Sequence, residues 1–249
     1  MGICSSRRHG LTLIFIGAVM TGLASAQTKS PELTGDLAFG RSIALIRGHL
    51  LEGEELVKLR EWNTAYPHFT FPTEEIYGVI RDELPNYRTP QFDHALKTLA
   101  HTVRIQSVHQ YPKALAKVEV ALGAADAGLK ARQSDWPQFT MMVAVAVLKT
   151  AAEEYDNAIE NGRIGHAVGY RTVRGFVLQA DRMLESAMEA LPAADTAVVA
   201  AIRSDMTTIK SAFAGQTAPD RPTIDTKGFD EAVLRIESSS QKLAAGRQI

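Results

Sequence analysis

The stretch WPQFTMMVAVAVLKTAAEEYDNAIEN, from Trp136 to Asn161, decides the fold class. Phe139, Val143, Val147, Thr150, Glu154 and Ala158 recur at steps of three and four, which places them on one face of a helix. Nothing in it alternates with the two-residue period of a half-buried strand. Reading outward with the same rule gives helices over Gly35 to Trp62, Pro72 to Leu84, Pro90 to Arg132, Trp136 to Asn161, His166 to Leu191, Pro192 to Phe213 and Lys227 to Ala245. Pro112 removes a hydrogen bond inside the third long pattern and is expected to kink or split it near His109. The expected architecture is all-α, an antiparallel helical bundle of six or seven helices, because packing such stripes against one another is the simplest way to bury them. No repeat of solenoid length appears.

Composition agrees. Of 249 residues, 45% are hydrophobic and 22% charged, the profile of a globular chain with a full core. Lys and Arg total 27 against 28 Asp and Glu, so there is no basic excess to neutralise a phosphate backbone, and nucleic acid is not an expected partner.

Residues 1–26 read as a cleaved signal peptide. Arg7 and Arg8 precede a thirteen-residue, almost wholly apolar run from Leu11 to Leu23, and Ala24-Ser25-Ala26 supplies the small residues of a cleavage site. Thirteen helical residues span roughly 20 Å, short of a hydrocarbon core of about 30 Å. The expected location is periplasmic or secreted after cleavage near Ala26, and Ser6-Arg7-Arg8 also partly matches a twin-arginine export signal. No later stretch reads as a membrane span, so an integral membrane protein is not expected. The helical bundle domain is assigned to 27–215, and 216–249 to a linker containing Pro219 and Pro222 followed by a C-terminal helix.

The single cysteine, Cys4, falls in the segment expected to be removed. Disulfides, thiolate metal sites and a cysteine nucleophile are thereby excluded from the mature chain. Gly-x-Ser-x-Gly, phosphate-loop and His-Glu-x-x-His motifs are absent, and Gly162, Gly165 and Gly169 follow a helix with no preceding strand, as in a helix–helix turn. No catalytic residues are assigned, and an enzyme is not expected.

Ionisable residues on apolar faces are the informative ones, since burying them costs several kcal/mol unless a partner compensates, an order-of-magnitude expectation. His49 lies about 60° from Ile46 at the edge of the first stripe, with Glu52 one turn on, so the pair can share an ion or a proton; a histidine hydrogen-bonded to a neighbour is the plainer reading. Glu154 sits at the centre of its stripe, which calls for an Arg or His partner, a metal, or a bundle end open to solvent. His166 and Tyr170 extend the stripe of the fifth helix, and the short turn from Asn161 to Gly165 lets Glu154 and Asn157 lie across from Tyr170 and its neighbours. The segment Tyr66 to Tyr77 concentrates aromatics, acids and His68 between Pro67 and Pro72, and reads as a rigid connector presenting a ligand. Pro72 equally suits a first helical position, with Glu74 and Glu75 complementing the helix dipole. The candidate metal ligands are His49, Glu52, His68, Glu75 and Glu154; Tyr77, Tyr155, His166 and Tyr170 are further polar candidates. His94 and His101 point away from their helix's stripe and read as surface.

The run Glu154-Tyr155-Asp156-Asn157-Ala158-Ile159-Glu160-Asn161-Gly162-Arg163-Ile164, followed by Tyr170 and Gly175-Phe176, resembles the extracytoplasmic helical segments of bacterial iron permeases. His49-x-x-Glu52 after Gly48 is similar to the signature of imelysin-like periplasmic helical bundles. The chain has neither the permease's membrane helices nor its Arg-Glu-x-x-Glu motif. The resemblance implies a periplasmic protein that binds or delivers a transition metal, iron first, to a membrane-bound transporter or envelope partner. Oxygen and imidazole donors alone also suit manganese, zinc or copper(II). The alternative is a non-catalytic periplasmic scaffold or interaction protein without metal; a haem-binding bundle has no residue placement that favours it.

Overall fold

A computed structural model describes Leu33, residues 35–190, 196–213 and 215, and residues 218–245. The expected signal peptide, with Cys4, lies outside the described residues, as do Gln216 and Thr217 of the expected linker. The described chain is all-α apart from one two-residue hairpin. Its helices are α1 (Gly35–Lys58), α2 (Trp62–Phe71), α3 (Gly78–Ile80), α4 (Asp93–Arg104), α5 (Tyr111–Lys130), α6 (Trp136–Ala158), α7 (Ala167–Met188), α8 (Thr196–Ser211) and α9 (Thr226–Ala245). A π-helical turn, Pro72–Tyr77, links α2 to α3, and a short 3-10 turn, Leu84–Tyr87, precedes α4.

Helices α6 to α9 form an up-down-up-down four-helix bundle, and their directions follow from which ends meet. Asp181 and Glu185 of α7 pair with Lys210 and Arg203 of α8, in reverse order along the two chains. Asp205 of α8 meets Arg235 of α9. Lys149 of α6 meets Glu237 of α9, and one turn and a half further along α6 Tyr155 stacks on Phe229 near the start of α9. The C-terminal helix therefore folds back to close the bundle, burying Phe229, Ala232, Val233 and Ile236. Helices α1, α2, α4 and α5 make a second ring. In it Phe69 of α2 packs on Gly53 of α1, while Arg47 of α1 pairs with Glu119 and Asp126 of α5. Helix α1 belongs to this ring and also lies against α6 and α7, which joins the two.

Several stretches differ from the sequence expectation, among them Pro72 to Leu84, expected as one helix and found as the π turn, α3 and the start of the 3-10 turn, whereas the split near Pro112 agrees with it. Trp62–Phe71 is a helix instead of a rigid connector, because Trp62, Ala65, His68 and Phe69 fall on one face and are buried together. That burial outweighs the cost of Pro67 within the helix, and the proline-led continuation runs in the wider π geometry. The long pattern from Pro90 splits, as Pro112 suggested, into α4 and α5. Gln106 adopts a left-handed conformation between them, and Pro112 sits in the first turn of α5, where its missing N–H has no partner to lose. Helix α6 stops at Ala158, not Asn161, since Asn161 and Gly162 both take positive φ and turn a hairpin pairing Ile159–Glu160 with Arg163–Ile164.

The α1–α7 crossing is backbone on backbone. A Cβ on Gly175 would lie 2.3 Å from the Gly48 carbonyl oxygen, and one on Gly48 would lie 2.6 Å from the Phe176 ring. Gly175→Ala is therefore expected to lower unfolding stability by about 1–3 kcal/mol through forced separation of the helices. Gly123→Ala, on an exposed face of α5 with no atom within 4 Å of the added carbon, is expected to raise it by about 0.5–1 kcal/mol. Urea unfolding of the two variants beside the parent chain measures both.

Candidate metal-binding cleft

The crossing sets the site. With Gly48 pressed on Gly175, the next residue of α1 carries its imidazole onto Phe176: the His49 and Phe176 rings meet edge to face with centroids 5.0 Å apart. His49 is 2% exposed. From α2, His68 reaches the same place with no exposure, its ring centroid 6.0 Å from that of His49, and Phe71 closes the other side of His49 at 5.6 Å.

Neither imidazole is satisfied. His49 Nδ1 and both ring nitrogens of His68 are buried without a hydrogen-bond partner. Each such group costs about 1–3 kcal/mol relative to a satisfied one, so the pair is a standing cost that packing alone does not explain. Burial holds both rings neutral. The His49 pKa falls to about 3, through desolvation and then the neighbouring His68; that of His68 falls to about 4, through desolvation and then the positive Arg171.

Glu52, one turn beyond His49, is 1% exposed and is held by α7. Arg171 Nη1 donates to its Oε1 at 3.3 Å and Arg174 Nη1 to its Oε2 at 2.5 Å. Both carboxylate oxygens are thus engaged, and Glu52 ties α1 to α7 next to the histidine pair instead of pointing a free oxygen at it.

Beside His49 opens a cleft of about 740 Å³, formed by α1, the π turn, the end of α6, the α6–α7 turn and the start of α7. His49, Glu75, Glu154 and His166 all line it, together with Phe71, Phe176, Asn157 and Thr172. Glu154 is half-buried; its pKa is raised, first by desolvation and then by the carboxylates of Glu75 and Glu153. His166, exposed on the rim, has Nε2 2.8 Å from Glu160 Oε1. The Thr172 hydroxyl is buried in the wall without a partner. Among the described residues no three His, Cys, Asp or Glu side chains stand close enough together to hold an ion in this conformation.

The tyrosine candidates lie elsewhere. The Tyr155 hydroxyl donates to the Ile224 carbonyl at 2.8 Å, and the Tyr170 hydroxyl donates to the Ala212 carbonyl. Both rings join Phe213 and Phe229 in an aromatic cluster that seats the α8–α9 connection on α6 and α7. Burial pushes both phenols up, as expected of hydroxyls used as structural donors. Tyr77 packs on Phe92, and its oxygen accepts from the Phe92 N–H at 3.3 Å. His94 and His101 are on the surface, as their helical angles indicated, and so is His109 in the α4–α5 turn. Sequence reasoning missed Thr172, Phe71 and the two arginines; the spacing of Arg171 and Arg174, three apart, was the available signal for a shared acidic partner.

Residues 130–246 match the family model of the iron permease-associated 4-helix bundle domain. The matched stretch is the α6–α9 bundle, so the resemblance first seen around Glu154 to Phe176 extends over all four of its helices, and it leaves His49 and Glu52 outside. No curated protein and no solved structure matches the chain. No helix among the described residues is long and apolar enough to cross a membrane.

Two outcomes test this geometry. In an unfolded chain a histidine titrates near 6.5, whereas the folded protein keeps these two neutral down to about 4 and about 3. Between those values the unfolded state binds more protons. The stability they govern is complete above pH 6.5 and is lost as pH falls, by about 1.4 kcal/mol per pH unit for each proton. Urea midpoints of the metal-free protein between pH 7.5 and 5 should show this slope, reduced in a His49→Gln/His68→Gln variant. Glu52→Ala strands two half-buried guanidinium groups and should cost about 3–5 kcal/mol, read by the same unfolding measurement.

Proposed function

We propose that this protein serves iron uptake outside the cytoplasm, binding a transition-metal ion at the α1–α7 seam and passing it to a membrane-bound permease. The observation that carries this reading is the buried, unpartnered pair His49 and His68 beside a cleft edged by Glu75 and Glu154. Neutral imidazoles are the protonation state that ligates metals, and their burial keeps them so at all physiological pH. The carboxylates supply hard oxygen donors, a mixture suited to iron or manganese. The match of α6–α9 to an iron permease-associated domain supports the link with iron uptake, and residues 1–26 support export. Glu52 acts in this reading as the clamp that holds α1, and with it His49, against α7.

The test is elemental analysis of residues 27–249 purified without a chelator or affinity tag, then titration with iron(II), manganese(II), zinc(II) and copper(II). One ion per chain is expected, lost in His49→Ala and in His68→Ala and retained in the surface variant His94→Ala. A blank with every metal refutes the proposal and favours the scaffold reading, to be pursued through pull-down of an envelope partner.

A further inference from the structure

The cleft beside His49 is larger than a bare ion needs, and the charge along it is of one sign. Its 740 Å³ compares with about 30 Å³ per water molecule, enough for an ion with its whole first hydration shell. None of the described residues lining it is Lys or Arg, while Glu75 and Glu154 both do. Arg171 and Arg174, beside Thr172 on α7, are committed to Glu52. Exposure falls inward, from exposed Glu75 and half-buried Glu154 to buried His49 and Thr172, then to His68 behind them.

We propose that the cleft admits its metal as a hydrated cation, captured first between Glu75 and Glu154 and only then ligated by His49 and His68, and that it turns away anionic metal chelates. This rests on the metal-binding reading above. Two unopposed carboxylates in a partly enclosed cavity concentrate cations and repel a chelate of negative charge. The unpartnered Nδ1 of His49 and hydroxyl of Thr172 then meet the incoming ion and its water. Because no three strong protein donors converge among the described residues, the bound ion keeps part of its water shell.

Stopped-flow binding of iron(II) under anaerobic conditions and of manganese(II), against iron(III) citrate as the anionic probe, tests the inference in the parent protein and in Glu75→Gln/Glu154→Gln. The double variant should bind the aquo ions with an association rate about tenfold lower and a weakened dependence on salt. Iron(III) citrate should not bind the parent. An unchanged rate in the double variant, or citrate complex bound as readily as the aquo ions, overturns the capture step while leaving the imidazole site standing. Failure of the parent to bind any of these ions overturns both.

Discussion

The contact between Gly48 and Gly175 governs the arrangement of everything around it. Two helices approach this closely only where both lack a side chain, and here each glycine's missing Cβ is the space occupied by the other helix or by Phe176. The crossing joins the ring of α1, α2, α4 and α5 to the α6–α9 bundle. It also decides what the flanking residues meet. His49 is driven onto Phe176 and Glu52 between Arg171 and Arg174, so one close approach produces both the buried imidazole and the ion pair that braces it.

A second constraint concerns polar burial. Glu52 is fully compensated: two guanidinium donors satisfy its two oxygens. His49 and His68 are not, and protein interiors seldom leave three ring nitrogens unpaired. The contrast between neighbouring groups on the same seam separates a structural ion pair from the unpartnered imidazoles on which the proposed metal site rests. The tyrosines fall on the structural side, since Tyr155 and Tyr170 spend their hydroxyls on backbone carbonyls of the α8–α9 connection.

Much of the fold was legible from spacing. The stripes of α1, α6 and α7 gave all-α packing, Pro112 marked the break between α4 and α5, and the run around Glu154 to Phe176 pointed to the family domain that the matched residues 130–246 support. The helix through Pro67 was not legible, because two prolines outweigh any local pattern and only burial of Trp62, Ala65, His68 and Phe69 by other helices reverses that preference. Of the candidate residues, the structure gathers His49, Glu75, Glu154 and His166 at one cleft with His68 adjoining, and it sets Tyr77, Tyr155 and Tyr170 apart.

By itself the sequence determined the helical class, the positions of most helices, the balance of charge that removes nucleic acid as an expected partner, and the absence of cysteine chemistry beyond residue 4. These depend on local periodicity and composition, which need no knowledge of what lies opposite. Only the tertiary structure decided which polar groups on the apolar faces have partners. His49 and Glu52 occupy equivalent edges of one helix, one turn apart. The helix they face gives Glu52 two arginines and gives His49 a phenylalanine, and that difference lies in residues more than a hundred positions away along the chain.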